Sequence, residues 1–137
     1  MTDTCSDEHS KLTEKIIGLC FSIHRELGPG FAEKIYVSSL KHALGKAGLN
    51  YHTEKEYRVR FEGSEVGTLR ADLVVEDTII VEIKSVCGKH PKVFEHQLIA
   101  YLKASGLPVG LLINFGNSSC QVRRLMNNQR NPLKKSP

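Results

Sequence analysis

The chain has 137 residues, of which 40% are hydrophobic and 25% are charged, with a formal net charge of +4. These values are typical of a globular protein, and the length predicts one domain. No apolar stretch is long enough to span a bilayer, and residues 1–10 lack the apolar core of a secretory signal, so we expect a cytoplasmic protein without membrane contact. The cysteines are scattered and form no close pair, which argues against a zinc or iron–sulfur site. The small basic excess permits a polyanionic partner but does not require one.

The first half of the chain predicts a disordered start and two helices. Residues 1–10 are polar, and we expect them to be disordered. Apolar residues then recur at helical spacing over 11–27, and Gly28-Pro29-Gly30 ends this helix because proline cannot continue it. A second helix is predicted over about 31–46.

The rest of the chain predicts strands with one more helix among them. Tyr57, Val59 and Phe61 alternate with charged residues, which is typical of a strand with one buried face. The further predicted elements are a turn at 62–64, strands at 65–75 and 79–84, a helix at 92–105, a buried strand at 109–115, an edge strand at 119–125 and a flexible basic tail at 127–137.

This order of elements predicts the fold class. A helix between the third and fourth strands suggests a crossover connection, which makes the strand that follows it parallel to an earlier one. We therefore expect an α/β domain over 11–126 with a mixed central sheet flanked by helices.

The strongest chemical signal is the set formed by Asp72, Glu82 and Lys84. Residues two apart in a strand share a face, so Glu82 and Lys84 point the same way. If the two strands form a hairpin around 76–78, Asp72 lies close to Glu82. Two carboxylates and an ammonium group suit Mg²⁺ or Mn²⁺ and the activation of water beside a phosphate. The alternative is a solvated strand edge with an incidental Glu–Lys pair.

Two further pairs share helix faces. Gln97 and Tyr101 are four residues apart and could position a phosphate or Lys84, or Tyr101 could simply pack at the rim of the core. Glu33 and Tyr36 are three residues apart at the start of the second helix. Glu33 could be a further metal ligand, or it could only complement the helix dipole.

These motifs together resemble the GxxExxY protein family, which is grouped with the PD-(D/E)XK nucleases and is similar to their RecB-like branch. The resemblance rests on the segment from His24 to Phe31 with Glu33 and Tyr36, on Arg70-Ala71-Asp72, on Val81-Glu82-Ile83-Lys84, on Gln97 with Tyr101, and on the segment 110–116. It covers about residues 16–125. Two positions depart from the pattern: Ala71 replaces the proline of the superfamily's name, and Phe94 replaces a histidine.

The resemblance implies a restriction-endonuclease-like αβββαβ core with an extra N-terminal helix. It also implies that Mg²⁺ or Mn²⁺ is bound by Glu33, Asp72, Glu82 and the backbone carbonyl of Ile83. In that assignment the catalytic residues are Lys84, Asp72 and Glu82, and Lys84 supplies the positive charge. The residues that position the substrate phosphate are Gln97, Tyr101 and Tyr36.

The function expected from these implications is metal-dependent hydrolysis of phosphodiester bonds in DNA or RNA. A non-catalytic nucleic-acid-binding module and a protein-interaction module that retain the same fold are the alternatives. A homodimer could supply additional binding surface.

Overall fold

The computed structural model describes the backbone of residues 4–127 and the side chains of residues 9–127. The elements run in the order α1 (Thr4–Leu27), α2 (Glu33–Lys46), β1 (Tyr51–Phe61), β2 (Ser64–Val75), β3 (Ile79–Lys84), α3 (Lys92–Ser105), β4 (Val109–Asn114) and β5 (Gln121–Met126). None of the helices in these residues is long and apolar enough to cross a bilayer.

The strands form one mixed sheet in the order β1-β2-β3-β4-β5. Strand β3 pairs parallel with β4, and the other neighbours pair antiparallel. Strands β3 and β4 are parallel because α3, which connects them, returns the chain to the end of the sheet at which β3 begins. The α/β fold class expected from the order of elements is confirmed.

Helices cover both faces of the sheet. Apolar residues of α1 and α2 pack with alternate residues of the central strands, and among them are Ile16, Leu40, Val81 and Ile113, all fully buried. A second, smaller cluster joins Leu98 and other α3 residues to the opposite face. Strands β3 and β4 are therefore buried on both faces, which explains why their sequences are almost continuously apolar.

In the two-stranded ribbon formed by β1 and β2, the side chains change the face of the sheet to which they point at Glu54 and Asp72. Tyr51 packs with the α1–α2 cluster and Tyr57 with the α3 cluster, although an even spacing would place both on one face of a regular strand. Glu54 explains the change, because its φ of 52° is left-handed and interrupts the alternation. Asp72 on β2 lies opposite this irregular residue, between the paired residues 71 and 73.

Most of the element boundaries predicted from the sequence are close to the observed ones. Helix α3 occupies the predicted residues, and both predicted hairpin turns occur between the strands expected to flank them. Helix α1 begins at Thr4 rather than near Lys11, so residues 4–10 are helical instead of disordered. A helix extends beyond its apolar face because each added residue contributes another backbone hydrogen bond. Except for Asn127, the predicted basic tail lies outside the described residues.

Candidate active site

Asp72 and Glu82 lie side by side where β2 and β3 separate. The backbone N–H of Asp72 donates to Oε2 of Glu82 over 2.9 Å. The backbone N–H of Ile83 donates to Oδ2 of Asp72 over 3.0 Å. Each carboxylate therefore accepts a hydrogen bond from the other's strand, and the hairpin predicted from the sequence does bring the two residues together.

These two hydrogen bonds replace the regular pairing between the strands. The β2–β3 ladder runs from the turn only as far as Leu73 and Val81. Beyond that pair, the carboxylates of Asp72 and Glu82 satisfy amide groups that a buried strand cannot leave without partners. The site is thus built into the opening of the sheet.

Burial controls the charge of the two carboxylates. Glu82 is only 8% exposed, and its burial, followed by the negative charge of Asp72, raises its pKa from 4.5 to about 8. Burial also raises the pKa of Asp72, while the N–H of Ile83 and the charge of Lys84 partly oppose the rise. In the metal-free protein at neutral pH, Glu82 is therefore largely protonated.

The donor set around this pair fits a hard divalent cation in part. Each carboxylate uses one oxygen for the N–H group of the facing strand, and the described residues give no hydrogen bond to Asp72 Oδ1 or Glu82 Oε1. The N–H of Ile83 points to β2, and in a strand the carbonyl of the same residue points to the same side, so the Ile83 carbonyl faces the opening beside Asp72. Carboxylate and carbonyl oxygens are the ligands that Mg²⁺ prefers.

Glu33 lies near this pair but is not part of it. It is the exposed first residue of α2, and its charge adds to the rise in the pKa of Glu82. Within residues 9–127, no three side chains of the types His, Cys, Asp and Glu converge closely enough to hold a metal ion. A cation that also used Glu33 would need the Glu33 side chain to move inward.

The ammonium group of Lys84 rests on an aromatic ring. Its Nζ lies 4.5 Å from the centroid of Phe94 in the first turn of α3. Lys84 is close enough for its charge to lower the pKa of both Asp72 and Glu82, yet no ion pair within 4.0 Å joins it to either of them in the described part of the chain.

Helix α3 brings Tyr101 near the carboxylates. Burial raises the pKa of the Tyr101 hydroxyl, and the charges of Glu82 and Asp72 raise it further, which places the phenol in their field. Gln97 lies one turn earlier on the same helix and is exposed to solvent. Both side chains are on the helix that covers the Lys84 end of β3.

Tyr36 lies in the core at the corner between α1 and α2. It is fully buried and stacks on Phe115, with ring centroids 4.3 Å apart. Its hydroxyl donates to the carbonyl of Gly28 over 2.6 Å and accepts the N–H of Phe31 over 3.2 Å. The hydroxyl therefore closes the corner between α1 and α2, and the contact of Tyr36 with a substrate phosphate stays a prediction.

Two asparagines that the sequence analysis did not select fix the loop after Lys84. Asn114 is 1% exposed, and its Oδ1 accepts the N–H groups of Val86 and Gly116, each over 3.0 Å, while its Nδ2 donates to the carbonyl of Val86. Asn117 contacts both backbone groups of Gly88 in the same way. Gly116 is required here, since a Cβ would lie 2.3 Å from the Val86 carbonyl oxygen. The only sequence signal was the Asn-x-Gly-Asn spacing after a buried strand.

A separate groove lies between α1 and α2. It has a volume of about 920 Å³, and its mainly apolar walls include Leu19, Ile23, Ile35 and Ala43. None of the residues predicted for the active site lines this groove. The groove is therefore separate from the predicted active site.

Comparison with known protein families assigns the chain to a superfamily. Residues 10–125 match the model of the PD-(D/E)XK nuclease superfamily, so the chain belongs to that superfamily. Its members generally use divalent metal ions. None of the curated proteins matches the chain.

A solved structure supports the fold. The crystal structure of SSO0001 is similar, with a TM-score of 0.55 and 24% sequence identity over 70% of this chain. The matched region is 50% of the SSO0001 chain, so the present chain corresponds to about half of that structure. At this identity the likeness shows the restriction-endonuclease-like architecture alone.

Proposed function

We propose that this protein hydrolyses phosphodiester bonds in DNA or RNA with the help of Mg²⁺ or Mn²⁺. The observation that supports this most is the paired carboxylates of Asp72 and Glu82, each with one oxygen free, beside a Lys84 ammonium group that forms no ion pair with either. A buried carboxylate pair is unfavourable unless a proton or a cation compensates its charge. A divalent cation offers that compensation.

Each residue has a distinct role in this proposal. Asp72, Glu82 and the Ile83 carbonyl would hold the cation, and Glu33 would complete the set from the start of α2. When bound, the cation would polarise the phosphate and a nearby water. Lys84 would orient that water and stabilise the negative charge that develops on the phosphate. Gln97 and Tyr101 would position the phosphate or the Lys84 side chain.

We also propose that the chain belongs to the GxxExxY group, near the RecB-like branch. Gly30, Glu33 and Tyr36 have the required spacing. The spacing has a physical reason, because Tyr36 hydrogen-bonds to the corner before α2 while Glu33 stays exposed near the carboxylates.

A cytoplasmic location and a homodimer stay predictions. Sedimentation of the purified protein tests the dimer.

Cleavage assays with a matched pair of variants test the proposed activity. The wild-type protein, Lys84→Ala and Lys15→Ala are incubated with single-stranded, duplex and structured DNA and RNA in Mg²⁺ or Mn²⁺. Lys15 is an exposed lysine of α1 and is the control. We expect at least about a hundredfold loss for Lys84→Ala and no loss for Lys15→Ala, since removing a charge that stabilises the transition state costs that much. Equal cleavage by all three proteins would indicate a contaminating nuclease.

The same preparations separate the alternatives. A protein that binds nucleic acid at low salt without cutting it would be a binding module, because phosphate contacts are strongest at low ionic strength. A protein with no affinity for nucleic acid under those conditions would be an interaction module. Calorimetry that finds no Mn²⁺ binding at pH 8 would contradict the metal dependence.

A further inference from the structure

The Lys84 side chain packs against the aromatic ring of Phe94 in α3. The Lys84 Nζ lies 4.5 Å from the ring centroid, a distance at which the negative face of an aromatic ring attracts a cation. Phe94 is partly buried and packs with the α3 cluster, so its ring is held in place. The Phe94 ring also stacks with the His90 ring, at a centroid distance of 6.2 Å.

We propose that Phe94 is a positioning residue that keeps the Lys84 ammonium group off the carboxylates of Asp72 and Glu82. This inference rests on the proposed function, because it assigns the contact a part in preparing the same site. Without the ring, the flexible Lys84 side chain is free to turn to Asp72 and, once it ionises, to Glu82, the two carboxyl groups on which its charge already acts.

An ammonium group on those carboxylates would interfere with the chemistry in two ways. It would occupy the free oxygens that a divalent cation needs, so the cation would have to displace it. It would also leave the positive charge of Lys84 compensated by the carboxylates instead of available to the substrate phosphate. The aromatic face avoids both effects, because it attracts the cation without offering a competing negative charge.

The alternative is that Phe94 only fills space in the α3 cluster. Leucine and tyrosine distinguish the two roles, since leucine retains an apolar side chain without an aromatic face, and tyrosine retains the face. A packing role predicts that Phe94→Leu has the same effect whether or not residue 84 carries a charge. A positioning role predicts that the effect depends on that charge.

The first measurement is made on the metal-free protein by NMR. A proton above an aromatic ring is shifted upfield, so the ε-methylene protons of Lys84 should resonate upfield of those of the exposed Lys15. We expect the shift to be kept in Phe94→Tyr and lost in Phe94→Leu. An unshifted Lys84 signal in the wild-type protein would overturn the proposal, whatever the cleavage assays show.

The second measurement is Mn²⁺ affinity by calorimetry at pH 8. We expect Phe94→Leu to weaken Mn²⁺ binding about three- to tenfold, the range set by one cation–π contact, and Phe94→Tyr to stay within about twofold of the wild type. In the Lys84→Met background, Phe94→Leu should leave the affinity unchanged. An equal loss in both backgrounds, or no loss in either, would overturn the proposal.

The two measurements also separate this inference from the proposed function. If the wild-type protein binds no Mn²⁺ but the Lys84 protons are shifted, the proposed function fails while the contact is real. If Mn²⁺ binds and nucleic acid is cleaved but Phe94→Leu changes neither the shift nor the affinity, the proposed function stands and the positioning role is wrong.

Discussion

The buried carboxyl group of Glu82 should make the metal-free protein less stable as the pH rises. Between pH 4.5 and about 8, Glu82 holds a proton in the folded protein and loses it in the unfolded chain. The folded state then binds more protons, so the free energy of unfolding falls with increasing pH across this window. Below pH 4.5 the contribution is fully present, and above about pH 8 it is lost.

The size of the effect follows from the shift. A pKa raised from 4.5 to about 8 corresponds, at about 1.4 kcal/mol per unit, to about 5 kcal/mol across the window. Water entry and local relaxation reduce this amount when the group ionises, so we expect a loss of at least about 2 kcal/mol. Glu82→Gln should remove most of the slope, because the amide oxygen still accepts the Asp72 N–H but carries no charge.

Urea unfolding in the presence of a chelator measures this prediction between pH 5 and pH 8.5. The control is Glu14→Gln, which changes an exposed carboxylate on α1. Added Mn²⁺ should reverse the slope for the wild type, because the cation requires ionised ligands and binds only the folded state. Parallel pH profiles for the wild type and Glu82→Gln, or a wild type that gains stability toward pH 8 without metal, would refute the reasoning.

Two further substitutions test the framework around the site. Tyr36→Phe should cost about 1–2 kcal/mol in urea unfolding, because it removes the hydroxyl that joins the corner before α2, but cleavage should stay within about twofold. A loss of cleavage comparable to that of Lys84→Ala would instead support the predicted contact of Tyr36 with the substrate phosphate. Asn114→Ala should cost about 2–3 kcal/mol, because it removes the hydrogen bonds to both backbone groups of Val86 and to the N–H of Gly116. Ser38→Ala, which changes an exposed serine of α2, serves as the control for both, and an Asn114→Ala protein as stable as this control would contradict the assigned role.

The parts of the fold that could be predicted are those fixed by local chemistry. Helix α3 lies between Pro91 and Gly106, and Gly106 has the left-handed backbone typical of a helix end, so both boundaries could be read directly from the sequence. The proximity of Asp72 and Glu82 also followed from a short hairpin with a fixed register.

The parts that could not be predicted depend on contacts distant in sequence or on unusual backbone. Strand β1 begins at Tyr51, six residues before Tyr57, where the alternating pattern in the sequence begins. The left-handed Glu54 interrupts the alternation, so the pattern does not reveal the first half of the strand. Asn114 joins a loop that lies 28 residues away, and no local pattern reports such a bond. The contact of the Lys84 ammonium group with Phe94 could not be predicted either, because the sequence does not determine the conformation of a flexible side chain.

The crossed hydrogen bonds between Asp72 and Glu82 have a consequence for how this protein would change over evolutionary time. Both carboxyl groups accept hydrogen bonds that close the sheet, in addition to the metal-binding role proposed for them. If the proposed activity is correct, a lineage that lost cleavage would still be selected to keep an acceptor at each position. The Lys84 side chain does not close the sheet in this way, so substitutions at this position would be tolerated. We therefore expect inactive descendants to lose the lysine first and to retain acid or amide side chains at 72 and 82.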